Sequence, residues 1–147
     1  MGPFVIYNEV LGDLFEVDDS YYLAHCISSD AKMGAGIAVQ FNKRFKLGVL
    51  RDIAKTNGLP VGSCHLVGKS LSLVTKVKYW HKPTYESFTE AIISMRELCL
   101  EKQITKIAMP MIGAGLDKLS WVKNKRIIQD VFADTNIAIL VYRKKGK

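Results

Sequence analysis

Short apolar runs alternate with stripes of helical spacing along this chain. Phe4-Val5-Ile6-Tyr7-Asn8-Glu9-Val10 is rich in β-formers and ends at Leu11-Gly12-Asp13, which predicts a strand and then a turn. Asp13 is placed to cap a short helical turn over Leu14 and Phe15. Tyr21 to Ile27 is almost continuously apolar, the pattern of a strand buried on both faces. A polar break from Ser28 to Lys32 precedes Met33-Gly34-Ala35-Gly36. Ile37, Ala38, Phe41 and Phe45 then share one helical face. A second helical piece, about Gly48 to Thr56, stops at Asn57-Gly58 and Pro60. Cys64 to Gly68 and Leu71 to Val77 read as a hairpin turning at Lys69-Ser70. From Thr84 comes the clearest helix, with an apolar stripe of Phe88, Ala91, Ile92, Met95, Leu98 and Cys99. Lys106 to Met111 predicts a strand, Ser120 to Ala133 a helix, and Ile137 to Tyr142 a closing strand.

Strands that alternate with helices, several of them fully apolar, call for an α/β sheet covered on both sides. No repeat, linker or low-complexity segment interrupts the 147 residues, so one domain over 1–147 is expected, with a basic tail from about residue 143. No apolar run reaches the roughly 20 residues that span a bilayer. The N-terminus lacks a signal-peptide pattern, and Ile6 stands where a myristoylation motif wants Ser or Thr. Cys26, Cys64 and Cys99 are odd in number and set among apolar residues. They predict reduced thiols in a cytoplasmic or nuclear protein. No Cys/His spacing suggests zinc, and no metal or cofactor is expected. Of the formal net charge of +7, four units sit in Arg143, Lys144, Lys145 and Lys147. The modest field left suits an anionic ligand without announcing a nucleic-acid binder.

Candidate chemistry gathers at two glycine loops, Gly34-Ala35-Gly36-Ile37 and Ile112-Gly113-Ala114-Gly115-Leu116. Each follows a strand, and glycines let backbone amides converge closely on an anion. On neighbouring strands, the two would hold a diphosphate between them; taken singly, each is equally well a tight turn. Neither matches the P-loop or the dinucleotide fingerprint. Asp117, just past the second loop, is either a general acid–base beside a phosphate or a helix cap. Asp13 is either an acceptor for an adenine amino group or a hydroxyl, or a simple N-cap, and Ser28, at the end of the second strand, has the same ambiguity. Lys82 lies among Tyr79, Trp80, His81 and Tyr85. There it is either a desolvated amine nucleophile or a charge snorkelling over aromatics.

The segments Gly12-Asp13-Leu14, His25-Cys26-Ile27-Ser28, Met33-Gly34-Ala35-Gly36-Ile37-Ala38, His81-Lys82-Pro83-Thr84-Tyr85-Glu86 and Pro110 to Asp117 resemble the macrodomain family. The closest branch in these motifs is the terminal ADP-ribose protein glycohydrolases, and the resemblance runs from about Tyr7 to Tyr142. It implies a three-layer α/β/α macrodomain with a mixed, largely parallel central sheet and a cleft for ADP-ribose. Asp13 and Leu14 would meet the adenine, with Tyr142 closing that side. Ser28 and Gly34 to Ile37 would line the first phosphate side, with Thr84 near the cleft. Ile112 to Leu116 would wrap the diphosphate and distal ribose. Lys82 and Asp117 match the branch's catalytic pair.

The chemistry so implied removes mono-ADP-ribose from acidic side chains. Lys82 attacks C1″ of the distal ribose and Asp117 moves the protons. O-acetyl-ADP-ribose or ADP-ribosylated nucleic acid would be further substrates. The partners expected are ADP-ribose and ADP-ribosylated proteins, with no membrane, and the chain would act as a monomer. Three rivals stand beside this reading: a non-catalytic ADP-ribose reader, an ADP-ribose 1″-phosphate phosphatase, and a nucleic-acid-binding domain using Lys43, Arg44, Lys46 and the tail. Ala114 and the basic end from Arg143 are this chain's own departures from the branch.

Overall fold

The computed structural model describes residues 6–144. Phe4 and Val5 of the first expected strand, and Lys145 and Lys147 of the tail, lie outside the described residues. Six strands form one sheet: β1 (Ile6–Leu11), β2 (Tyr22–Ser28), β3 (Cys64–Val67), β4 (Ser70–Lys76), β5 (Lys106–Met109) and β6 (Ala138–Arg143). Their order across the sheet is β1-β6-β5-β2-β4-β3. The first five in that order run parallel to their neighbours, and β3 pairs antiparallel with β4. The carboxyl ends of β1, β2, β4, β5 and β6 therefore open on one edge, where α/β sheets carry their ligands.

Helices cover both faces. α1 (Ile37–Phe45) and α2 (Gly48–Asn57) bury Phe41 and Leu50 with Leu14, Leu23, Ile27 and Val74. α3 (Tyr85–Lys102) and α4 (Trp121–Phe132) bury Phe88, Ile92, Met95, Ile128 and Phe132 against Leu71, Leu73, Ile107 and Val141 on the opposite face. Period-2 alternation explains the division: Ala24 belongs to one cluster, Leu23 and Ile27 to the other. The result is the three-layer arrangement with a mixed sheet. Among the described residues, no helix is long and apolar enough to cross a membrane.

Local chemistry sets the element ends. β5 stops at Met109, two residues before the expected end, and Pro110 follows at once, with no N–H to extend the ladder. The hairpin turns at Gly68-Lys69, one residue early, because Gly68 supplies the required φ of +58°. Thr84 caps α3 by accepting from the Ser87 amide at 2.9 Å, and the Ser87 hydroxyl answers the Thr84 amide at 3.1 Å. Ser120 caps α4, accepting from the Lys123 amide.

Candidate active site

β2 and β5 are direct neighbours, so the two glycine loops leave the sheet side by side. A Cβ built on Gly36 would lie 3.2 Å from Leu116 Cδ1, which puts the loops in contact. The first loop is held from outside the cleft. Met33 is buried, and Arg51 donates to the carbonyls of Ala31 at 3.3 Å and Lys32 at 2.7 Å. Gly36 (φ +62°) starts α1 with no side-chain cap, so the first-turn amides of that helix have no side-chain partner. The second loop is a tight turn. Ala114 donates to the Met111 carbonyl at 3.3 Å and Leu119 to the Gly113 carbonyl at 2.8 Å.

Within these loops the glycines divide into two kinds. Gly113 has φ +76°, and a Cβ there would meet Asn124 Nδ2 at 2.7 Å and the Phe88 ring at 3.1 Å. The fold itself demands that glycine. Gly34 and Gly115 have neither a left-handed φ nor any atom within 4 Å of an added Cβ. Nothing in the fold asks for glycine at these two exposed positions, and without a side chain their backbone is open to close approach. Among the described residues, the amides of Gly34, Ala35, Gly115 and Leu116 donate to no protein acceptor. The two facing loops thus present unpaired N–H groups, the makings of an anion cradle.

Beside the cradle lies an ion pair. Lys76, the last residue of β4, puts Nζ 2.6 Å from Asp117 Oδ1, and the side chains are 14% and 15% exposed. Two charges this sheltered are held by each other, not by solvent. Ser120, not Asp117, caps α4, which removes the capping explanation for the acid. Cys26 lies beside this pair. Burial pushes its thiol well above the usual range; the Asp117 carboxylate adds to the shift and Lys76 opposes it. It stays a protonated thiol, unsuited to attack.

At the far end of the cleft edge, Asp13 accepts from the Phe15 amide at 3.0 Å and caps a single 3-10 turn, Leu14–Glu16. The Gly12 amide donates to the Arg143 carbonyl at 3.0 Å, and the Tyr142 ring lies 3.5 Å from an added Gly12 Cβ. Asp13, Leu14 and Tyr142 therefore meet at the ends of β1 and β6. Ser28 is buried at the end of β2 and donates to Asp30. Burial disfavours the Asp30 carboxylate. Hydrogen bonds from Ser28 and from the Tyr79 and Lys32 amides, with Lys78 nearby, overcome that and lower its pKa.

A Macro domain family model matches residues 24–128. The chain belongs to the Macro domain family. ADP-ribose glycohydrolase OARD1 from Homo sapiens, like its Bos taurus counterpart, is 43% identical over 136 residues, covering 90% of this macrodomain and 88% of that protein. Among solved structures, the macrodomain of Mycobacterium tuberculosis DarG superposes with a TM-score of 0.84 at 20% identity, covering 94% of this chain and 97% of that one. A Thermosipho africanus DarTG structure in complex with ADP-ribose gives 0.80 at 19% identity, over 96% of this chain and 42% of that one. At such identities the structural likeness speaks for the fold.

The macrodomain geometry changes one part of the sequence reading. The resemblance gave Lys82 and Asp117 as the catalytic pair; in the structure the lysine bonded to Asp117 is Lys76. Lys82 is exposed and, among the described residues, forms no ion pair. The physical reason is position: Lys82 stands in the loop before α3, whereas Lys76 ends a strand whose neighbour β2 leads straight into the first glycine loop. Sequence reasoning passed over Lys76 because it reads as the last polar residue of an alternating strand. The available signal was its place at the carboxyl end of a parallel strand. Thr84 is occupied as the α3 cap, so the structure gives its hydroxyl a local job.

Proposed function

We propose that this macrodomain is an ADP-ribosyl hydrolase that frees ADP-ribose from acceptor carboxylates, with Lys76 as nucleophile in place of Lys82 and Asp117 as acid–base. The observation that carries the reading is the sheltered Lys76–Asp117 pair beside two loops whose Gly34 and Gly115 the fold does not require. The 43% identity to an ADP-ribose glycohydrolase over 90% of the chain supports the same substrate.

The diphosphate rests between the loops on their unpaired amides and on the N-terminus of α1. Adenine lies toward Asp13, Leu14 and Tyr142, and the distal ribose toward Ile112–Leu116 and Asp117. Ser28, by holding Asp30, and Gly36 with Ile37 shape the phosphate side. Asp117 takes a proton from the Lys76 ammonium at 2.6 Å, and the free amine attacks C1″. The C1″–O bond breaks and the acceptor leaves as a carboxylic acid, protonated by Asp117, which is then a carboxylate again. Water, deprotonated by Asp117, displaces the lysine nitrogen from C1″ and yields ADP-ribose, and the proton on Asp117 returns to the Lys76 amine. An ADP-ribosylated base is released by the same attack on C1″. In O-acetyl-ADP-ribose, whose ester sits on a ring hydroxyl, water deprotonated by Asp117 attacks the acetyl carbonyl and acetate leaves, and one chain supplies every group named.

The test is hydrolysis of a glutamate-linked mono-ADP-ribosylated protein by wild type, Lys76→Ala, Asp117→Asn and Lys82→Ala. Asp117→Asn should lose about 10²–10⁴ in rate and Lys76→Ala at least as much. Lys82→Ala should keep its turnover at saturating substrate. Free ADP-ribose binding should persist in all four. A Lys76→Ala enzyme that turns over at the wild-type rate sinks the assignment. Wild type that binds ADP-ribose without releasing it from protein makes the domain a reader, and release of inorganic phosphate from ADP-ribose 1″-phosphate makes it a phosphatase.

A further inference from the structure

Asn124 is out of place by every stability argument. It sits in the first turns of α4 on the stripe Asn124, Ile128, Phe132, and all three are fully buried. The spacing of four wants an apolar residue at that position. Asn also forms helix poorly, and its Oδ1 is buried without a partner. What it does make is one hydrogen bond: Nδ2 donates to the Ile112 carbonyl at 3.1 Å.

That bond falls on the central peptide of a turn. Met111, Ile112, Gly113 and Ala114 form a four-residue turn closed by the Ala114 amide on the Met111 carbonyl. Gly113, at its third position, has φ +76°, as a type II turn requires. Types I and II differ mainly by a flip of this Ile112–Gly113 peptide. In a trans peptide the C=O and the next N–H point in opposite directions. A side chain that holds the Ile112 carbonyl toward α4 therefore turns the Gly113 N–H away from α4. Among the described residues, that N–H has no protein acceptor. Gly113 fits beside Asn124 only for want of a Cβ, which would stand 2.7 Å from Nδ2.

We infer that Asn124 is a positioning residue: it locks the Ile112–Gly113 peptide so that the Gly113 amide faces the cleft and donates to the bound anion. The anion being the diphosphate of ADP-ribose rests on the function proposed above; the lock itself does not. Asn124 touches no ligand in this scheme and acts only through the turn.

Asn124→Leu removes the donor at similar volume and fills the stripe with the residue its pattern wants. The variant should fold with a Tm at or above that of wild type. In the unliganded protein, the Gly113 amide cross-peak of a ¹⁵N-labelled sample should shift or broaden as the peptide samples both orientations. ADP-ribose should bind about tenfold more weakly, the cost of one hydrogen bond to a charged oxygen. KM should rise by a similar factor while kcat changes less than threefold. Asn124→Met, which is buried and apolar and carries no donor, should show the same cross-peak change and weaker binding. An unchanged Gly113 cross-peak in Asn124→Leu overturns the lock, whatever the domain hydrolyses. So does ADP-ribose affinity within twofold of wild type in a folded variant. If wild type binds ADP-ribose but cleaves nothing, the hydrolase reading falls and both arms of this test remain readable.

Discussion

Substituting the loop glycines one at a time separates what the fold needs from what the ligand needs. Gly113→Ala places a Cβ at φ +76°, 2.7 Å from Asn124 Nδ2 and 3.1 Å from the Phe88 ring. A left-handed conformation costs an ordinary residue about 1–2 kcal/mol. Crowding in a packed region adds about 1–3 kcal/mol. The stiffer unfolded chain returns about 0.4–1 kcal/mol. The balance is a loss of about 3 kcal/mol, or about 6–12 °C in Tm for a domain of this size. Gly34→Ala and Gly115→Ala meet no atom within 4 Å and no left-handed φ, so stability should stay within about 0.5 kcal/mol of wild type. Their effect should appear in ligand binding, where a methyl group on the cradle holds the diphosphate off the free amides. Urea unfolding followed by tryptophan fluorescence measures the first quantity and calorimetric titration with ADP-ribose the second. The expected pattern is crossed: Gly113→Ala unstable, Gly34→Ala and Gly115→Ala stable, with affinity lowered about tenfold or more for each amide hydrogen bond that the methyl group prevents. If Gly34→Ala and Gly115→Ala both bind ADP-ribose like wild type, the two loops are not the cradle and the reasoning fails.

Two further expectations concern stability. His25 is fully buried, stacked on Phe41 at 3.9 Å between centroids and bonded to Ser72 Oγ at 2.7 Å, and burial lowers its pKa to about 3. Below pH 6.5 the unfolded chain gains a proton there that the folded chain refuses until about pH 3. Stability should therefore fall with pH across that window, by about 2 kcal/mol between pH 7 and pH 5 from this group. His25→Gln should flatten that slope in urea titrations at the two pH values, and an equally steep slope in the variant would falsify the assignment. Thr84→Ala should cost about 1 kcal/mol through removal of the α3 cap. KM for the ADP-ribosylated substrate should stay at its wild-type value; a raised KM would restore Thr84 to the ligand site.

Elements were legible where one local rule acted alone. α1 and α2 begin where their apolar stripes begin, at Ile37 and Gly48. Asp13 and Thr84 cap the turn and the helix they precede, whereas the α4 cap is Ser120 and not the Asp117 that the sequence also offered. The buried character of β2 was visible in its unbroken apolar run, because both of its faces are covered by helices. The hairpin turn and the end of β5 shifted by one or two residues, since a glycine's φ and a proline's missing N–H set such boundaries more sharply than hydrophobicity does.

The α/β alternation, the two glycine loops and the acid beside the second could be read along the chain, because each depends on residues close in sequence. Which lysine stands beside that acid was decided only by tertiary structure. Lys76 and Asp117 are 41 positions apart, and strand order, not local pattern, brings the end of β4 to the loop after β5. Lys82 had the more suggestive neighbours in sequence. A side chain's partner, however, is fixed by where its Cα is carried and which way the pleat points it, and the last residue of a parallel strand points where a loop residue does not. The same holds for Asn124: along α4 it reads as one polar flaw in an apolar stripe, and only the packed turn at Ile112–Gly113 gives that flaw a job.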